Sequence, residues 1–138
     1  MIDFDALADL NNTKSPNPED IRNLWTAFFK LEEWIFVVDA SVVSENPPPF
    51  VGFIDEKPWL FIFTDTQRAY DFAKEHQLLD KKGECLFIAT QTSTALKMLI
   101  NTQSAIEGIR VNEGPHGWFC PLDNIVRIHT LLHDEGLL

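Results

Sequence analysis

The chain predicts a mixed α/β domain, with a five- to six-stranded mixed sheet and helices packed on it. Three observations carry this expectation. Short apolar runs at Trp34–Val38, Phe50–Ile54, Trp59–Phe63 and Glu84–Thr90 have the length and composition of strands. Around them, apolar residues recur at three- and four-residue spacing, as one face of a helix requires. Segments rich in Pro, Gly, Asn and Asp separate the two kinds of pattern.

Asp3–Leu10 predicts a short amphipathic helix with Phe4, Leu7 and Ala8 on one side, followed by the loop NNTKSPNP. Asn17 offers an N-cap oxygen, Pro18 suits a first turn, and Glu19 and Asp20 favour the positive end of a helix dipole. Ile21, Leu24, Trp25, Phe28 and Leu31 continue that helix through Glu32. Trp34–Val38 is almost continuously apolar, as a centrally buried strand would be. In SENPPP three prolines remove three amide donors, so this stretch stays out of a sheet interior. Phe50–Ile54 and Trp59–Phe63 flank DEKP, a connection of hairpin length.

Thr66–Leu79 predicts an amphipathic helix with Ala69, Phe72, Ala73 and Leu79 inward and Asp71, Lys74 and Glu75 outward. DKKG closes it, with Gly83 able to take the left-handed turn. Beyond the strand Glu84–Thr90, Thr92–Gln103 predicts a helix with Ala95, Leu96, Leu99 and Ile100 inward. Ile106–Val111 and Trp118–Leu122 flank NEGPHG as a final hairpin. Asp123 then caps a terminal helix that turns Ile125, Ile128, Leu131 and Leu132 inward. Residues 1–138 read as a single domain, with 1–33 as a helical N-terminal extension and 34–138 as the core α/β region.

Composition narrows the function classes. With 11 basic and 21 acidic residues the net charge is -10, and residues 1–57 alone hold 11 acidic against 4 basic side chains. Such a surface repels phosphate backbones and anionic headgroups, so neither nucleic acid nor membrane is an expected partner. The N-terminus MIDFDALADLNN lacks the basic and apolar regions of a secretory signal. The longest apolar stretch, Trp34–Val43, is interrupted by Asp39 and is far shorter than the roughly 20 residues of a spanning helix. Cys85 and Cys120 have no CxxC spacing, and the expected setting is a soluble, cytoplasmic one with reduced thiols.

The candidate site residues lie at two corners. Thr64 and Gln67 have capping-box spacing, and Asp65 adds a carboxylate at the helix start; capping alone explains all three. Arg68 is the anomaly, because a cation in a first turn opposes the dipole. It either pairs with Asp65 or is held for a carboxylate ligand. The second corner, NEGPHG, brings Asn112, Glu113 and His116 close to Trp118: either polar filler in a Gly/Pro turn, or an acid, an imidazole and a ring presented to a partner. Trp25, Trp34 and Trp59 read as core.

His129 and His133 share a helix face, but the glutamate of HExxH is absent, and two solvated histidines near a helix C-terminus account for them without a metal. Cys85 reads as inert packing in a buried strand, and Cys120 has no basic neighbour in sequence to activate it. No GxSxG, P-loop or GxGxxG occurs, and no cofactor is expected.

Two segments carry a resemblance. PWLFIFTDTQRAYDFAKEH and IEGIRVNEGPHGWFCPLDNIVRI are similar to the strand-FT corner and the closing VN-x-G turn of the SseB family, the enhanced serine sensitivity proteins. Phe63, Thr64, Asp65 and Arg68 match the first element; Val111, Asn112, Gly114 and Trp118 match the second. Glu113 stands where the family often has proline, the first 33 residues match nothing in it, and many members continue into a second domain. The resemblance implies an α/β domain of the SseB N-terminal type, with no catalytic residues to carry over. It also implies a link to serine and sulfur metabolism, with a metabolic enzyme as a candidate protein partner. The expected function is therefore a non-enzymatic interaction or regulatory module, with self-association left open. The alternative is a carboxylate or amino-acid sensor using Arg68, Thr64 and Asn112, and an undescribed hydrolase using His116 with Glu113 ranks last.

Overall fold

Side-chain acceptors start the first two helices. The Asp3 carboxylate accepts from the Ala6 amide at the head of α1 (Phe4–Asn11), and the Asn17 side chain accepts from the Glu19 amide ahead of α2 (Pro18–Phe29). The computed structural model describes residues 2–42, 45–102 and 105–138; Val43, Ser44 and Gln103 of the segments expected above lie outside them. Helix α2 stops at Phe29, short of Glu32, because the chain must turn into β1 (Glu33–Val38).

Strands β2 (Val51–Ile54) and β3 (Lys57–Ile62) form the expected hairpin with a tighter turn. Asp55 and Glu56 alone connect them, both left-handed at φ 52° and 65°, which is the geometry of a two-residue hairpin. Lys57 and Pro58 therefore belong to the strand, where the Pro58 carbonyl accepts from the Glu107 amide at 2.7 Å. Helix α3 (Thr66–Glu75) ends earlier than Leu79: Gln77, at φ 61°, makes the left-handed turn, and the Leu78 amide returns to the Ala73 carbonyl. Gly83 belongs to a separate turn, in which Asp80 accepts from the amides of Lys82 and Glu84.

The remaining elements are β4 (Leu86–Gln91), α4 (Thr92–Thr102), β5 (Gly108–Val111), β6 (Trp118–Pro121) and α5 (Leu122–Asp134). Asp123 sits inside the first turn of α5 and does not cap it; Pro121 is the N-cap, without a side-chain bond. Leu131 and Ile100 face solvent, at 54% and 45% exposure, instead of inward.

The mixed α/β class holds, but the single expected sheet is divided. Among the described residues, one sheet has the order β2-β3-β5-β6 and the other pairs β1 with β4. A strand has only two edges, and β2 and β5 occupy both edges of β3. Strand β1 therefore meets it only just past its end, where Ile35 and Phe63 exchange backbone bonds of 3.0 and 2.8 Å.

Two cores result. Trp34 and Phe36 of β1 join Leu24, Phe28, Ile109, Val111 and Ile125 in the larger one, together with Phe4 and Ala8 of α1. Ile35 and Val37 face the other way, with Trp59, Phe61, Phe63 and Phe72. Between β5 and β6, a Cβ on Gly108 would lie 2.1 Å from the Cys120 carbonyl oxygen, so only glycine allows that approach.

Candidate functional site

Strands β3 and β5 are parallel neighbours, so the corners that leave their C-terminal ends share one rim. At the first corner, Asp65 caps α3 by accepting from the Arg68 amide at 2.8 Å. The expected Thr64–Gln67 capping box does not form: the N-cap falls one residue later, and Gln67 bonds forward to Asp71 instead. That displacement frees Thr64. Its amide donates to Asn112 Oδ1 at 3.0 Å, and the Asn112 amide group donates back to the Thr64 hydroxyl at 3.0 Å. Asn112 is buried, takes φ 50°, and its own amide bonds the Ile62 carbonyl. The two corners are latched through one side chain.

Beside the latch lies a cleft of about 220 Å³ between α3, the 112–116 loop and α1. Asp5, Asp71, Glu75 and Glu113 line it against the single guanidinium of Arg68. Arg68 does pair with Asp65, and also with Asp5 of α1 at 2.7 Å. Glu113 holds Arg110 at 3.0 Å, and His116 Nδ1 meets Asp9 of α1 at 2.7 Å. Asn12 at the end of α1 donates to the Gly117 carbonyl. The N-terminal helix is thus part of the rim.

The hydrogen bond with Asp9 raises His116 above the usual imidazole range. A raised pKa means that the folded state favours the protonated ring. The pair's stabilising contribution is then fully present below the unfolded pKa of about 6.5 and is lost as pH rises through the higher folded value. Melting temperatures of the wild type and Asp9→Asn are expected to differ below that range and converge above it. Equal gaps at all pH values would refute the linkage.

Of the residues singled out from sequence, Thr64, Asp65, Arg68, Asn112, Glu113 and His116 meet at this rim. Trp118 does not. It is only 2% exposed, lies nearly parallel to Phe4 at 6.0 Å and edge-on to Phe28 at 5.9 Å. Side chains alternate along β6, so Trp118 points under the helices and its neighbour Phe119 points outward, at 57% exposure. The ring that β6 presents to solvent is therefore Phe119. Directly across the strand pair stands Arg110, whose guanidinium lies 4.9 Å from the Phe119 ring and 5.2 Å from that of Trp59. Glu113 holds the other side of the same guanidinium.

Two signals in the sequence point to what was missed. Asp5 and Asp9 are four apart, hence on one face of α1. Counting back from NEGPHG as a six-residue loop pairs Arg110 with Phe119.

The other chemistry-bearing side chains are engaged in packing. Burial pushes the Cys120 thiol up to about 12, so almost no thiolate exists at neutral pH. Cys85 precedes β4 instead of lying within it and is partly buried; burial raises its pKa too. Burial, and then the nearby His133, lower the pKa of His129, which packs edge-on against Phe29 at 5.2 Å. Among the described residues, no three His, Cys, Asp or Glu side chains gather in a group suited to a metal ion. No helix among them is long and apolar enough to cross a membrane.

No protein-family model matches this chain, and no curated protein matches it.

Proposed function

We propose that the chain is a non-enzymatic protein-interaction or regulatory module that binds its partner over Arg110 and Phe119, backed by the buried Trp59, and along the adjoining acidic rim. The observation that carries this reading is the guanidinium of Arg110, held by Glu113 and lying against both an exposed phenyl ring and the buried indole that this ring meets edge-on. Rigid aromatic and arginine side chains at a surface lose little entropy on binding and dominate the energetics of interfaces. Glu113 neutralises Arg110, and the cleft beside it holds three further carboxylates, Asp5, Asp71 and Glu75, against the guanidinium of Arg68. The partner surface that fits is therefore basic, with an apolar side chain to cover Phe119. The resemblance to the SseB family adds the expectation that this partner is a metabolic enzyme of serine or sulfur metabolism, met in the cytoplasm.

Two further points favour this reading. Arg68 is spent on Asp5 and Asp65 and His116 on Asp9, and among the described residues of the rim no nucleophile has a base beside it. The alternative of a carboxylate or amino-acid sensor is supported less: Arg68 already faces two carboxylates, and Thr64 and Asn112 satisfy each other.

Affinity capture from a native lysate with wild type, Phe119→Ser and Arg110→Ala tests the reading. A protein retained by wild type, released by rising salt and lost with both variants is the expected result. Retention by both folded variants overturns the platform. A thermal shift with amino acids that disappears in Arg68→Ala would favour the sensor instead.

A further inference from the structure

Phe50 and Phe63 occupy the outer edge of β1, so among the described residues three sheet edges are free, and two of them are guarded. Strand β2 has four residues and follows Pro47, Pro48 and Pro49; β6 has four and ends in Pro121. Short strands and prolines are the usual protection against unwanted strand pairing. Strand β4 has none. Its six residues, LFIATQ, include no charge, proline or glycine. Leu86 and Phe87 are 48% and 39% exposed, and no described strand other than β1 pairs with it.

Hydrogen-bond parity shows which groups this edge offers. In β1, Ile35 bonds to Phe63 and the Val37 carbonyl accepts from the Phe50 amide, so the odd-numbered residues face away from β4. The even-numbered residues of β1 then bond their partners Leu86, Ile88 and Thr90, in line with the Thr92 amide bonding the Glu32 carbonyl. The backbone groups of Phe87, Ala89 and Gln91 consequently point outward.

We infer that β4 is a pairing edge through which two copies of this chain join as an antiparallel, two-fold symmetric dimer. Such an axis stands perpendicular to the sheet and keeps its faces, so residues of like parity must pair. Centred on Ala89, the register sets Phe87 opposite Gln91 and Ile88 opposite Thr90, with all three outward residues bonded. A second copy is the occupant because this edge, the longest of the three and free of charge, proline and glycine, lets two molecules of net charge -10 meet without opposing carboxylates. Pairing also extends the two-stranded β1–β4 sheet into a four-stranded one.

Sedimentation velocity over a dilution series is expected to show a monomer–dimer equilibrium that tightens as salt rises and screens the like net charges. Hydrogen exchange at high concentration should slow the amides of Phe87, Ala89 and Gln91 relative to dilute protein. The amides of Leu86, Ile88 and Thr90, already bonded to β1, should not change. Ala89→Pro removes a central outward donor and should raise the dissociation constant at least about tenfold. Phe87→Lys, which keeps the backbone and places two cations at the interface, should do the same if the proline variant fails to fold. A monomer at every concentration overturns the proposal, as does a dimer that survives Phe87→Lys or leaves those three amides unprotected. This edge is separate from the Arg110 platform, so either proposal fails without the other.

Discussion

Replacing Trp34 by alanine is expected to cost about 3–5 kcal/mol, a large share of the stability of a single domain. The indole is fully buried and stacks on Phe28 with centroids 4.3 Å apart and planes within 9°. It also touches Phe29, and its N–H donates to the Phe28 carbonyl at 3.1 Å. Alanine removes the apolar area, opens a cavity between α2 and β1, and deletes the bond. Trp34→Phe separates these effects. The Phe28 carbonyl still accepts from the Leu31 amide, so this variant loses one bond and part of a ring, about 1–2 kcal/mol. Urea denaturation measures both; an alanine variant within about 1 kcal/mol of wild type would mean that the stack does not hold the helix on the strand.

Asn112→Ala is expected to cost about 2–4 kcal/mol. Part is conformational, because φ 50° is a region where a Cβ-bearing residue other than Asn or Asp loses about 1–2 kcal/mol. The rest is the latch: the partly buried Thr64 amide and hydroxyl lose their partner. Asn112→Gly restores the backbone freedom and keeps only the second loss, so stability should fall in the order Asn, Gly, Ala. Equal values for glycine and alanine would remove the conformational part of the argument. In the alanine variant hydrogen exchange should speed up at Ile109 only by the global loss of stability, and by more than that at Thr64, where the rim also opens locally.

The local signals read well from sequence because each is complete within a few residues. Asn17 and Pro18 start α2 by their own chemistry, and NEGPHG bends the chain whatever lies around it. The failures share one cause, a distant partner that wins a local competition. Thr64 has capping-box spacing, yet Asn112, 48 residues away, takes its hydroxyl and Asp65 inherits the cap. Trp118 sits beside polar loop residues, but strand parity turns it under α1 and α2. The division of the sheet follows from the order in which β3 fills its edges, and no single segment encodes that. The rim itself was half legible: parallel strands predict that their C-terminal corners gather. The carboxylates that α1 contributes lie on a helix that the sequence predicts, but nothing local says where that helix docks.

Strand β1 has a consequence for how the molecule fails. Its alternate side chains belong to opposite interiors, Trp34 and Phe36 on one side and Ile35 and Val37 on the other. It is a party wall between two rooms. Neither room can be emptied while the wall stands, and neither survives its removal, so the chain gives way all at once.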